Sequence, residues 1–476
     1  MAVTTEKEST TFEVTGIERV AEDNRQHTQL WDTMWLWWSA NSVVATVALG
    51  AINIFFGLGF WGSVAVIVVF NILGVLPVAF LSTLGPKTGL AQMPLSRFAF
   101  GYQGVKLPAI FNALACIGWS AVNAIIGSSF IVTWSAGAIP QWVALLFLAV
   151  ITTLVSVYGY FIVHRYERYA WIVMAVLFGY VAIAASSHFT TDVPATATGL
   201  ALFAGISAFA GAIFGYAVGW SSYAADYTRR QPAATSSSRV FWYAFLGVTI
   251  PCVLLETLGV LLTTTVPVPA IFDLVDAGPG PLFGHILAGS PIAGLVILLL
   301  AFSTIANNVP NDYSFALSTQ VIGLKNIRRW ILTIIGAVAY VGIALLLANS
   351  NFNFNLENFL LVIAYWLGAW NAIILLEHFV FRKGTYPVEN YESPGKLPVG
   401  IAAVVAMVLG LAIAALGVGQ QYFVGPIATA LSVCANSPCN PSAGDAVADI
   451  GFPLAIVAAA IIYYPLRRWE LSKYKR

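Results

Sequence analysis

Apolar residues in this chain run in long unbroken blocks, not in the alternating or three-to-four spacing of half-buried elements. A helix needs roughly 20 apolar residues to cross a bilayer. Twelve blocks qualify: 31–57, 60–84, 107–136, 141–163, 169–187, 198–225, 240–265, 290–318, 330–348, 357–379, 397–417 and 450–466. A spanning β-barrel would instead show alternating segments of about 10 residues. Lipid cannot satisfy an open backbone, so the blocks predict helices. The expected fold class is an all-α polytopic membrane protein with twelve transmembrane helices.

The polar gaps between the blocks are not equivalent. All 22 Lys and Arg residues fall before the first block, after the even-numbered blocks, or at the chain end. They are Lys7, Arg19 and Arg25; Lys87, Arg97 and Lys106; Arg165 and Arg168; Arg229, Arg230 and Arg239; Lys325, Arg328 and Arg329; Arg382, Lys383 and Lys396; and Arg467, Arg468, Lys473, Lys475 and Arg476. Cytoplasmic loops retain positive charge. The alternation predicts both termini inside, with tails at 1–30 and 467–476, in the plasma (inner) membrane.

Two spans carry polar interruptions. Span 1 holds Ser39-Ala40-Asn41-Ser42, and span 6 holds Gly215 to Ser222. They open two possible five-helix units, 31–187 and 198–379, leaving 397–466 as two extra spans. An odd number of spans inverts the second unit, and paired broken helices in inverted repeats are a transporter device. Small residues at each site also allow close helix packing. The matching positions favour the repeat.

Composition narrows the classes. The chain is 59% hydrophobic and 9% charged, against about 25% charged in soluble domains. Short juxtamembrane loops account for the basic residues, so no nucleic-acid partner is expected. No G-x-x-x-x-G-K-[ST] loop is present, which argues against ATP hydrolysis. Serine, histidine and carboxylate are not grouped at one depth, so no enzyme is expected. Four cysteines offer no metal cluster; Cys434 and Cys439, in the last outer gap, could pair or stand as free thiols.

Candidate chemistry lies within the spans. Trp119 and Asn123 in span 3 are four residues apart and share a helical face. An indole face and a carboxamide suit a flat heterocycle. Span 8 carries Ser303, Thr304, Asn307, Asn308, Pro310, Asn311 and Asp312. Polar intramembrane groups are costly and are default functional candidates. Asn307 or Asn308 could bond substrate edges. Ser303 and Thr304, with carbonyls of Ala40 and Val43, could form a sodium site; back-bonding of the hydroxyls within the helix is the bland alternative. In span 6, Tyr216, Gly219, Trp220, Ser221 and Ser222 could complete a binding face. Asp226 reads as an interface ion-pair partner, and Asp312 as a cap or gate. Glu256, deep in span 7, is the proton-relay candidate.

These motifs resemble the nucleobase–cation symporter family, on its purine–cytosine permease branch. The resemblance rests on Gly16-Ile17-Glu18-Arg19, Gly85-Pro86-Lys87-Thr88-Gly89-Leu90, Arg97-Phe98-Ala99-Phe100-Gly101, Gly118-Trp119 with Asn123, Ala225-Asp226-Tyr227, and Ala306-Asn307-Asn308-Val309-Pro310-Asn311. It implies a leucine-transporter-type five-plus-five inverted repeat plus two C-terminal helices, working by alternating access. It implies a base stacked on Trp119 and bonded by Asn123 and Asn307 or Asn308. It also implies secondary active uptake of a neutral nucleobase (adenine, hypoxanthine, guanine or cytosine) with sodium or a proton, and no other cofactor. The family's span-6 stacking position falls at Ala217 here, so Tyr216 or Trp220 must substitute. The transport alternative is a hydantoin, allantoin, uracil or a pyrimidine vitamin. The alternative of another class is a transporter-fold sensor.

Overall fold

The computed structural model of the protein describes residues 16–348 and 352–476; Lys7 lies outside them. The chain is mainly helical. Among the described residues, eight helices are long and apolar enough to cross a membrane, and the bent pair Trp31–Asn41 and Val44–Phe56 makes a ninth. Two shorter apolar helices, Gln141–Val157 and Ile401–Gly417, coincide with predicted spans 4 and 11. The closing helix, Gly451–Tyr474, contains predicted span 12. A hairpin pairing Gly419–Gln420 with Phe423–Val424 and a Cys434–Cys439 disulfide lie in the loop before that last helix.

Spans 1, 2, 6 and 7 pack against one another, and spans 3, 4, 8 and 9 form a second group. Backbones touch inside the first group. A Cβ on Gly50 would lie 1.9 Å from the Glu256 carbonyl oxygen, and one on Gly259 would lie 2.1 Å from that of Val47. Small residues let membrane helices approach in this way, where dispersion replaces the hydrophobic effect as the driving force. Between the groups runs a seam. Span 5 packs on span 1 and also reaches span 8, so it touches both sides.

Both interruptions are real but differ in kind. Span 1 breaks at Ser42 and Val43, whose backbone is non-helical, and its halves are bent by 54°. Span 6 does not open. It tightens from α-helix to 3-10 helix at Gly219–Tyr227 and kinks at Tyr223 (φ −142°, ψ 19°).

The largest departure from expectation lies between spans 4 and 5. The apolar Phe161-Ile162-Val163 run reads as the end of span 4, yet that helix stops at Val157 and the next begins at Tyr160. Gly159, at φ 89°, makes the turn, a conformation that costs a residue with a Cβ. Arg165 and Arg168 therefore ride on a helix, with His164 and Glu167 buried beside them. The expected tails are also packed. Arg25 Nη1 donates to the Pro86 carbonyl at 2.6 Å, and the His27 N–H to that of Arg230 at 3.0 Å. Arg467 is ion-paired to Glu377 at 3.0 Å.

Candidate functional site

The break in span 1 is held by span 8. The Val44 N–H opens a half-helix with no intrahelical acceptor, and the Ser303 hydroxyl accepts from it at 3.2 Å. Asn307 Nδ2 reaches the Ala40 carbonyl at 2.6 Å. Asn307 Oδ1 in turn accepts from Asn123 Nδ2 at 2.7 Å. One amide thus joins spans 1, 3 and 8.

Beside it lies a narrow crevice, too tight to admit a water molecule, lined by Trp119, Tyr216, Gly219, Trp220, Tyr223 and Asn307. Trp119 and Asn307 come from one helical group, the span-6 residues from the other. The crevice therefore straddles the seam. Tyr216 sits edge-on to Trp119 (centroids 5.3 Å apart) and shares a 2.6 Å hydrogen bond with Thr46. Trp220 Nε1 donates to Asn41 Oδ1 at 3.0 Å. Tyr223 OH donates to Asn311 Oδ1 at 2.8 Å, and Phe359 packs edge-on against Trp119. No Lys, Arg, Asp or Glu lines the crevice.

Several predicted residues stand elsewhere. Asn308 donates to the Ser120 carbonyl at 3.3 Å, and Asn307, not Asn308, lines the crevice. Ser221 accepts from Asn371 at 2.9 Å, and Ser222 donates to Asn112 at 2.5 Å. Thr304 bonds its own helix at the Ala301 carbonyl (3.0 Å), and the Val43 carbonyl accepts from Thr46 N–H at 3.1 Å. Of the four predicted sodium ligands, Ser303 and Ala40 meet the span-8 bonding network directly. Asp226 accepts from Gln92 N–H (2.7 Å) and Ser314 (2.8 Å). Asp312 accepts from Ser120 and Ser156. Glu256 accepts from Asn71 Nδ2 at 2.5 Å, a bond wholly within the first helical group. Asn123 Oδ1 and Asn308 Oδ1 are buried acceptors without a donor among the described residues, an expensive condition for an amide.

Tyr223 carries no expectation from the sequence, whereas Asn41 and Asn311 stand in the polar runs already noted in spans 1 and 8. A signal existed for Tyr223: in a 3-10 helix residues three apart eclipse, which aligns it with Trp220.

The sequence compares with known proteins along nearly its whole length. A family model described as "Permease for cytosine/purines, uracil, thiamine, allantoin" matches residues 20–436. The chain belongs to this permease family. The permease is 36% identical to the purine-cytosine permease fcyB of Emericella nidulans, over 98% of this chain and 90% of that one. It is 34% identical to the purine-cytosine permease FCY2 of Saccharomyces cerevisiae, over 98% and 87%. Its fold matches the closed conformation of Mhp1, a nucleobase-cation-symport-1 family transporter solved with bromovinylhydantoin bound. That match has a TM-score of 0.73 at 15% identity and covers 98% and 96% of the two chains.

Proposed function

We propose that the permease imports a neutral nucleobase, a purine or cytosine, by cation symport with alternating access. The observation that carries this reading is the uncharged crevice of aromatic rings and one amide astride the seam. A flat base stacks on such rings for about 1–3 kcal/mol per base. Its edge polar groups suit Asn307 and the free acceptor of Asn123. A fixed charge would favour an ionic substrate, and none lines the crevice.

Alternating access follows from where the crevice lies. Rocking spans 1, 2, 6 and 7 against spans 3, 4, 8 and 9 would expose it to one side at a time. In this reading 31–187 and 198–379 are the two inverted units, 397–466 the added pair, and the basic end is cytoplasmic. Sodium would draw on Ser303, Thr304 and the Ala40 and Val43 carbonyls; a proton needs a carboxyl instead.

Proteoliposomes containing the purified permease test the reading with labelled adenine, hypoxanthine and cytosine under separately imposed pH and sodium gradients. Concentrative uptake of at least one base under one gradient is expected. Uptake of none under either gradient refutes it.

A further inference from the structure

Glu167 is the least accommodated charged residue in the described structure. It is 0% exposed, and among the described residues neither carboxyl oxygen makes a hydrogen bond of good geometry, with the Ser39 hydroxyl beside it. Its backbone is nonetheless firmly placed, because the Ser39 hydroxyl donates to the Glu167 carbonyl at 2.6 Å. Ser39 precedes Ala40, so Glu167 stands level with the break in span 1. It belongs to span 5, which touches both helical groups. An ionised carboxylate buried in this way is strongly disfavoured. A proton removes that cost without requiring a cation.

Titratable groups lie between Glu167 and the basic end. His164 lies three residues earlier, on the same helical face and one turn nearer the basic end. Its Nδ1 is buried and unpartnered, while its Nε2 lies 3.2 Å from the Tyr227 carbonyl. The ring of His27 lies next, 4.5 Å from His164 between centroids. His27 contacts Asp32 Oδ2 at 2.9 Å and Tyr160 OH at 2.8 Å, and Asp32 accepts from Arg168 at 2.7 Å. Tyr166 adjoins Glu167 on its own helix. The acids on neighbouring spans are already held: Asp312 by two serines, and Glu256 by Asn71.

We infer that Glu167 is the side chain that binds the coupling proton, taking it up when the seam opens away from the basic end and releasing it to water that enters on the His164 side when the seam opens toward it. This rests on the symport reading above and names its ion. In the release step the carboxyl O–H bond breaks. The proton passes to entering water, and the carboxylate left behind is then solvated. No oxidant or second reactant is needed. Symport then requires the loaded carrier to cross with Glu167 protonated and the empty carrier to return with it ionised, so that each cycle moves one proton with one base.

The experiment compares wild type and Glu167→Gln in proteoliposomes with labelled adenine. One inside-alkaline pH unit should drive about tenfold accumulation in wild type for one proton per base. Glu167→Gln, permanently neutral, should reach only equal concentrations inside and out. It should still exchange labelled for unlabelled adenine, which also reports that it is folded. Glu167→Asp should recover part of the pH drive. Wild-type-like accumulation in Glu167→Gln overturns the inference, as does loss of exchange in both variants or wild-type accumulation that follows sodium alone. In that last case the transport reading stands. If wild type neither accumulates nor exchanges any base, the transport reading itself fails.

Discussion

Glu256 and Glu167 are both fully buried carboxyls, yet their settings are opposite. Glu256 joins spans 7 and 2 through Asn71, inside a group whose backbones touch at Gly50 and Gly259. Glu167 lies beside Ser39 of span 1 on a helix that touches both groups, and among the described residues neither of its carboxyl oxygens makes a hydrogen bond of good geometry, against one of the two in Glu256. A buried acid whose neighbours move with it serves as a joint. One whose neighbours move past it can gain and lose a proton. Depth in the membrane does not separate the two roles; position relative to the seam does.

The rigid packing of the first group is most exposed to substitution at Gly50. Gly50→Val would drive a side chain into the Glu256 backbone, and we expect almost no folded permease in the membrane, read by fluorescence-detection chromatography. Normal yield would mean that the first group is not rigidly packed. Trp119→Ala attacks the crevice itself. Stacking worth about 1–3 kcal/mol corresponds to a loss of roughly 5- to 150-fold in adenine affinity, measured by binding to purified protein. Unchanged affinity would remove Trp119 from the site. Asn71→Leu is the mildest of the three. It leaves Glu256 unpaired, at a cost of about 1–3 kcal/mol, and should lower the thermal unfolding midpoint while leaving the pH drive in place. A lost pH drive with an unchanged midpoint would give Glu256 the role assigned here to Glu167.

Much of this was legible in the sequence, for physical reasons. Long apolar blocks and one-sided Lys and Arg reveal spans because lipid leaves the backbone few choices. The break at Ser39–Ser42 and the place of Asn307 beside it followed from polar groups placed where they are expensive. What escaped was geometry set by single turns. Gly159 moved the span 4–5 boundary and carried Glu167 onto a helix from the gap between the fourth and fifth apolar blocks. The 3-10 segment of span 6 changed the rotation per residue, so Tyr223 entered the crevice and Ser221 and Ser222 turned to Asn371 and Asn112. The choice between Asn307 and Asn308 depended on helix phase to within one residue, which no composition records.

The most direct test places the two acids side by side: pH-driven accumulation of labelled adenine in proteoliposomes bearing Glu167→Gln or Glu256→Gln. The account predicts that Glu256→Gln keeps the gradient-driven accumulation of wild type, because a carboxamide can still bond Asn71, and that Glu167→Gln only equilibrates. Equilibration in Glu256→Gln with full accumulation in Glu167→Gln would contradict it.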